Sequence, residues 1–212
     1  MRLYIGNKNY SSWSFRPWIA MKAKGVAFEE ILIPFNDDAS NPKFKEFSPT
    51  GKVPVLVDDE LAVWESLAIL EYLHDRFPRW GFWPADERRR AYARSVATEM
   101  HGGFAALRNA CPMNMRRPVK AATVTSTMAR DIARVETIWQ DCLAKSGGPF
   151  LFGEFCNADA MYAPVVNRLE KYALSQHPAV KAYSAAMKAS SAWQEWESAA
   201  LAETWIVPAD EA

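Results

Sequence analysis

Two short stretches of this chain carry groups suited to gripping a small peptide. The first is Lys52-Val53-Pro54-Val55, where a proline heads the apolar run Val53 to Val57. Proline donates no ladder hydrogen bond, so an X-Pro here marks either a strand's first residue or a cis turn. A cis bond would turn the Val53 N–H and C=O outward, free to pair strand-fashion with an extended peptide. The second is Glu65-Ser66, which precedes Leu67, Leu70, Leu73 and Phe77, an apolar stripe at three- and four-residue steps. That spacing predicts a helix opened by Ser66. The unpaired N–H groups and partial positive charge of a helix N-terminus suit a carboxylate. The chain thus places a peptide-backbone clamp and a carboxylate seat close together. The plainer alternative is that Pro54 only starts a strand and Ser66 only caps a helix.

The elements that must position these groups follow from the pattern around them. Leu3 to Gly6 reads as a short strand, and Phe15, Trp18 and Ile19 as a helix running from about Ser14, its cap, to Gly25, its stop. Phe28 to Pro34 reads as the next strand, which makes a βαβ unit with parallel, right-handed pairing. Asn36 to Phe47 is polar and turn-rich, with Pro42 opening a short helix. Pro54 to Val57, a turn at Asp58-Asp59 and Leu61 to Trp64 predict a hairpin ahead of the Ser66 helix. The order βαβαββα is that of a thioredoxin-like domain.

Residues 77–84 are aromatic and broken by Pro and Gly, which suits a linker that packs. Beyond them the pattern predicts helices over 86–109, 119–145, 157–173, 178–189 and 190–203. Pro164 would kink the third of these unless that helix begins later. The expected class is therefore α/β plus all-α, with a thioredoxin-like domain at 1–79 and an all-helical domain at 85–212.

Composition narrows the partners. The chain has 212 residues, half of them hydrophobic, enough for a sizeable core. Its 25 basic and 25 acidic residues cancel, which removes the electrostatic case for nucleic acid or an anionic membrane surface. Cys111, Cys142 and Cys156 are too scattered for a disulfide framework or a zinc site, and His74, His101 and His177 are dispersed. Met1-Arg2 leads straight into a strand without an apolar leader, and no run approaches a membrane span. The expectation is a soluble cytoplasmic protein acting on small molecules or protein surfaces, with no metal.

The segments Ser48-Pro49-Thr50-Gly51-Lys52-Val53-Pro54-Val55-Leu56 and Glu65-Ser66-Leu67-Ala68-Ile69 together resemble the glutathione site of the soluble glutathione S-transferase family. The helical second half extends the resemblance over nearly the whole chain. Within it, Gly153 to Asp159 resembles the family's buried capping box, with Cys156 where that box has Ser or Thr; Asn157 is an alternative cap. The resemblance implies glutathione as co-substrate, held by Lys52, Val53, Pro54, Glu65 and Ser66, with Lys52 reaching its glycine carboxylate. It also implies a homodimer.

The same resemblance directs attention to the loop Asn7 to Arg16, NKNYSSWSFR, which would face the Pro54 strand. Ser11-Ser12-Trp13-Ser14-Phe15-Arg16 is similar to the S-S-C-x-x-R loop of the zeta class, where a serine donates to the glutathione sulfur. Ser12 and Ser11 are the catalytic candidates, Ser12 ahead because its spacing to Arg16 also matches the theta class. Trp13 stands where the zeta class has cysteine, a departure that makes transfer the expected activity and leaves isomerase or peroxidase chemistry as a side activity. A free thiol of pKa about 8.5 needs about 2.7 kcal/mol of preferential anion stabilisation to fall two units. Hydrogen bonds from a hydroxyl and a helix N-terminus can supply that. The bland alternatives are solvation and capping for the serines, packing for Tyr10 and a structural ion pair for Arg16.

The electrophile would lie against the first helix of the second half and the stretch after it. Trp13, Phe104, Arg108 and Asn114 are the candidate substrate contacts, with Arg116 and Arg117 beside them and Trp18 as a further wall. Gly102-Gly103 in mid-helix suggests a close approach by backbone or ligand. The function expected is a glutathione transferase that activates the thiolate for attack on a small electrophile. The alternative is a non-catalytic interaction module of the same shape. A cysteine-type disulfide reductase is disfavoured because the loop has no cysteine.

Overall fold

A computed structural model describes residues 1–36 and 40–211. The first part of the chain runs β1 (Arg2–Ile5), α1 (Ser12–Ala23), β2 (Glu29–Leu32), a 3-10 turn (Pro42–Glu46), β3 (Val55–Asp58), β4 (Leu61–Trp64) and α2 (Ser66–Arg76). The sheet order is β2-β1-β3-β4: β1 pairs parallel with β2, and β3 antiparallel with both β1 and β4. The expected class holds, and the second helix of the βαβαββα order is the 3-10 turn, capped by Asn41. Part of the Asn36 to Phe47 reading, residues 37–39, lies outside the described residues.

The alternation in β1 decides which face is core. Leu3 and Ile5 are wholly buried, and Leu56 of β3, opposite Leu3, joins them. Phe15, Trp18 and Ile19 of α1 and Ile69, Leu70 and Leu73 of α2 close over that face. Gly25 ends α1 as expected: at φ 69° its N–H bonds Lys22 O while the Val26 N–H bonds Met21 O, so the last carbonyls are satisfied.

Two local expectations are corrected. The hairpin turn is Asp59-Glu60, one residue later than expected, with Asp59 at φ 52°. Ser14 is not the cap of α1. The helix begins at Ser12, and Ser14 is a buried interior residue whose hydroxyl accepts from Gly6 N–H at 3.2 Å.

The rest of the chain is helical: α3 (Glu87–Gly102), α4 (Ala105–Ala110), α5 (Ser126–Ser146), α6 (Asn157–Lys171), α7 (Pro178–Ala189) and α8 (Ser191–Ala202). The helix expected over 86–109 is broken at Gly103-Phe104, where Phe104 adopts φ 57°. A Cβ on Gly103 would fall 2.5 Å from Glu99 O, so this glycine serves the helix's own last turn; around Gly102 there is open space. The helix expected from 119 starts only at Ser126, because Thr125 caps it. The preceding segment instead bonds the end of α6 through Lys120 and Ala122 N–H groups. Helix α6 runs continuously through Pro164.

Helix α6 lies at the centre of the fold, packed between α1 and α3. Its cap is Cys156 rather than Asn157. Asp159 accepts from Cys156 N–H at 2.9 Å, Leu151 N–H at 3.0 Å and Tyr183 O–H at 3.0 Å. Asn157 instead ties α6 to α2, its side chain donating to Leu70 O at 3.0 Å. Helix α8 tucks Trp196 beneath α1, its indole N–H on Lys8 O. The chain beyond it folds back, and Glu203 accepts from the Lys8 and Asn9 N–H groups. Among the described residues no helix is long and apolar enough to cross a membrane.

Candidate functional site

A cavity of about 410 Å³ opens where the β1–α1 loop faces β3. Ser11, Ser12, Trp13, Lys52 and Val53 line one side, Arg108 and Arg168 another. It shares Trp13, Thr50, Lys52 and Val53 with a smaller cavity of about 200 Å³ that continues to Pro54, Glu65, Ser66 and His101. The fold therefore brings the clamp, the helix seat and the serine loop to one place.

At the clamp, Val53-Pro54 is cis. Among the described residues the Val53 N–H and C=O make no hydrogen bond. Lys52 is exposed at the mouth, its N–H held by Ser48 Oγ at 3.1 Å. At the seat, Glu65 immediately precedes α2 with φ 66°, a left-handed conformation costly for a side chain of this kind. Among the described residues no side chain caps the α2 N-terminus. Ser66 opens the helix but does not cap it; its hydroxyl donates to Trp13 O at 2.9 Å and so locks the serine loop to the seat.

The two candidate serines differ in what their hydroxyls are doing. Ser11 is buried, and its Oγ donates to Ser14 Oγ at 2.7 Å. Ser12 is the first residue of α1 and half-buried, and its Oγ has no partner among the described residues. Both line the larger cavity. The hydroxyl left free to donate is that of Ser12.

Of the expected substrate contacts, Trp13 and Arg108 line the cavity and Phe104 and Asn114 do not. Phe104 packs inward near Tyr162. Asn114 is buried, its amide oxygen accepting from Asn9, Arg116 and Arg117 and its N–H groups reaching Asp210 O and Glu211. Arg116 is spent on the C-terminal tail, donating to Glu203 O, Trp205 O and the Tyr10 hydroxyl. Arg117 stacks on Tyr172 at 4.3 Å. Tyr10, expected only to pack, also donates to Glu211. Trp18 is wholly buried against Trp196 and walls nothing.

Among the described residues Arg16 makes no ion pair, contrary to expectation. It is wholly buried, donates to Met161 O at 3.0 Å and Ser12 O at 2.9 Å, and stacks 4.0 Å from the Trp13 ring. Burial, then the charges of Arg168 and Arg108, hold its pKa well below the ordinary guanidinium value. Arg168 and Asp210 were not foreseen in the wall. For Arg168 a signal existed: it sits three residues after Val165 and four before Tyr172, a charge on the apolar stripe of a buried helix. For the tail, an aperiodic ETWIVPADE segment, there was none.

Comparison with known proteins places this geometry in context. Residues 10–76 match the family model described as glutathione S-transferase, N-terminal domain. Maleylacetoacetate isomerase of Rattus norvegicus is 28% identical over 190 residues, covering 87% of this chain and 87% of that protein. Glutathione S-transferase T1 of Arabidopsis thaliana is 32% identical over 168 residues, 72% of this chain and 66% of its own length. Among solved structures, a bacterial zeta-class maleyl pyruvate isomerase in its holo form superposes with a TM-score of 0.74 at 23% identity, covering 97% of this chain and all of that one. A glutathione transferase homologue from Burkholderia, solved with bound glutathione, gives 0.72 at 24% identity over 95% and 98% of the two chains.

Proposed function

This chain belongs to the glutathione S-transferase family, and we propose that it is a glutathione transferase that activates the cofactor's thiolate for attack on a small electrophile. In this reading the γ-glutamyl carboxylate rests on the uncapped α2 N-terminus at Ser66, and Glu65 meets the adjacent ammonium. The cysteinyl backbone pairs with Val53 beside Pro54, and Lys52 attracts the glycine carboxylate. Ser12 then donates to the sulfur, with Ser11 holding the loop through Ser14. The protein contributes positioning and anion stabilisation; the nucleophile belongs to the cofactor. Trp13 and Arg108 face the electrophile.

The observation that carries this reading is that, among the described residues, a Ser12 hydroxyl without a partner, unbonded Val53 backbone groups and an uncapped helix start surround one continuous opening. Groups that fold alone would satisfy are here left for a ligand. Titration calorimetry with glutathione tests it. Binding should be measurable in the unmodified protein and fall about tenfold or more in Ser66→Pro, which keeps a helix-compatible N1 residue but removes its N–H. Absence of binding in the unmodified protein would favour the non-catalytic interaction module.

The assembly and compartment follow the same reading. β4 is an edge strand with Leu61 and Trp64 exposed, a surface suited to a second copy of the chain in a homodimer. The cysteines described are free and buried, and a glutathione-dependent reaction suits a reducing cytoplasm.

A further inference from the structure

A third cavity, of about 680 Å³, lies where the linker at residues 77–84 meets α3 and the loop ahead of α6. It shares no lining residue with the two cavities of the glutathione opening. Helix α2 separates them: the seat is at its first residue, Ser66, and His74 in its last turn lines the third cavity, about 12 Å further along the axis. The walls are of two kinds. Phe152, Phe155, Pro78, Pro84 and Trp83 are apolar, whereas Arg79, Arg89 and Arg90 carry positive charge. Among the described residues these arginines form no ion pair. Arg89 donates through Nη2 to Phe152 O at 2.7 Å, and Arg90 through Nη1 to Pro84 O at 3.1 Å and Ala85 O at 2.6 Å. Each of these two guanidiniums is thus fixed through one nitrogen and keeps the rest of its fork, while Arg79 is exposed.

A fourth cation stands beside them. A Cβ on Gly81, in the cavity wall, would lie 3.5 Å from Lys24 Nζ. Two carboxylates, Asp86 and Glu154, line the same cavity, and both are exposed. Asp86 is engaged by the Arg89 N–H at 2.8 Å as the cap of α3, and Glu154 acts on Lys24 from beyond ion-pair range. Positive charge therefore exceeds negative around this opening. Two nitrogens of the wall are also unsatisfied. Trp83 is only 2% exposed and its indole N–H has no acceptor among the described residues; His74 Nδ1 is likewise buried without a partner. An indole N–H can only donate, so a buried one left unpaired calls for an acceptor from outside the chain.

We propose that this cavity binds a nucleoside monophosphate, its phosphate on Arg79, Arg89 and Arg90 and the ring nitrogens of its base toward Trp83 Nε1 and His74. The forks approach from two elements, the linker and α3, which suits the three oxygens of a phosphate better than the two of a carboxylate. A planar heterocycle supplies ring acceptors and apolar faces together, as this mixed wall requires. Cys156, also in the wall, takes no part: burial pushes its thiol well above the ordinary range, and it belongs to the α6 cap. The inference goes beyond the glutathione reading and does not depend on it.

Titration calorimetry with adenosine monophosphate, adenosine and inorganic phosphate tests this. The unmodified protein should bind the nucleotide with a Kd below about 1 mM, and adenosine and phosphate each at least about tenfold more weakly. Arg79→Gln and Arg89→Gln, both at exposed positions, should each weaken nucleotide binding by about five- to tenfold with the circular dichroism spectrum intact. Trp83→Phe keeps an aromatic body but removes the N–H, and should weaken the nucleotide by about fivefold while leaving phosphate binding unchanged. Saturating S-hexylglutathione should not alter nucleotide affinity, since the openings share no residue. Absence of nucleotide binding, adenosine binding as tightly as its phosphate, insensitivity to both arginine variants, or competition by S-hexylglutathione would overturn the assignment. A protein that ignores glutathione yet binds the nucleotide in this pattern refutes the transferase reading alone.

Discussion

The starts of α2 and α6 meet the same physical problem, a row of N–H groups without helical partners, and resolve it in opposite ways. At α6 the resolution is internal. Cys156 and Asp159 form a reciprocal cap, and Asp159 additionally binds Leu151 N–H and the Tyr183 hydroxyl, all of it buried. At α2 no side chain among the described residues caps the helix, the preceding residue sits in a strained left-handed conformation, and Ser66 turns its hydroxyl away to Trp13 O. One end is closed by the fold's own groups, and the other, on the reading proposed above, is held open for a ligand. On that reading the same local sequence logic, a polar residue ahead of an apolar stripe, serves stability in one place and binding in the other.

Asp159→Asn breaks the contrast most severely. Replacing an acceptor-only carboxylate by an amide leaves at least one of its buried N–H donors unpaired, and the expected loss is about 3 kcal/mol of folding stability, read by denaturant titration. Glutathione affinity of the protein that remains folded should be unchanged. A loss of affinity without a loss of stability would mean that the two helix starts are not separate in role.

Alkaline pH attacks the closed end more gently. Burial, then the Asp159 charge, pushes the Tyr183 phenol well above its ordinary pKa, and burial brings Tyr172 up to about 12. Raised folded values mean that the neutral phenols support the fold fully below pH about 10, and that this support drains away as pH climbs through the folded values. Tyrosinate absorbance from these residues should accordingly appear together with loss of the circular dichroism signal, and Tyr183→Phe should make the alkaline limb shallower. Full ionisation near pH 10 with the native spectrum intact would contradict the burial account.

Glu65→Gly sharpens the comparison from the open end. Glycine adopts positive φ at no steric cost, so stability should stay level or rise by up to about 1 kcal/mol, measured as a higher Tm. Glutathione affinity should fall in the same variant, because the carboxylate beside the seat is gone. Opposite signs for stability and binding at one residue are the mark of strain kept for a ligand.

What the sequence disclosed, and what it hid, divides along the same physical lines. The strand and helix order and the α2 start were legible because each depends on neighbours a few residues apart, whereas the grouping of Lys52, Val53, Pro54, Glu65 and Ser66, split by a hairpin, was legible through the family resemblance. The Asp159 cap was legible despite the Cys156 substitution for the same reason. The break at Gly103-Phe104 and the late start of α5 were obscured by helix-forming composition on both sides of a backbone that turns elsewhere. Asn114, Arg116 and Arg168 changed places for a longer-range reason. The C-terminal tail returns to the β1–α1 loop and consumes Asn114 and Arg116, while α6 delivers Arg168 to the cavity. No local pattern encodes a contact between residues nearly two hundred positions apart, such as Glu203 on Lys8.

The central claim is that the Ser12 hydroxyl stabilises a thiolate on glutathione bound at this opening, and the ultraviolet thiolate band of the bound cofactor, followed against pH, tests it most directly. The unmodified protein should titrate about one to two pH units below the free thiol, and Ser12→Ala should return most of that shift whereas Ser11→Ala should return less. Bound glutathione that titrates like free glutathione, or that is unaffected by Ser12→Ala, would contradict the account.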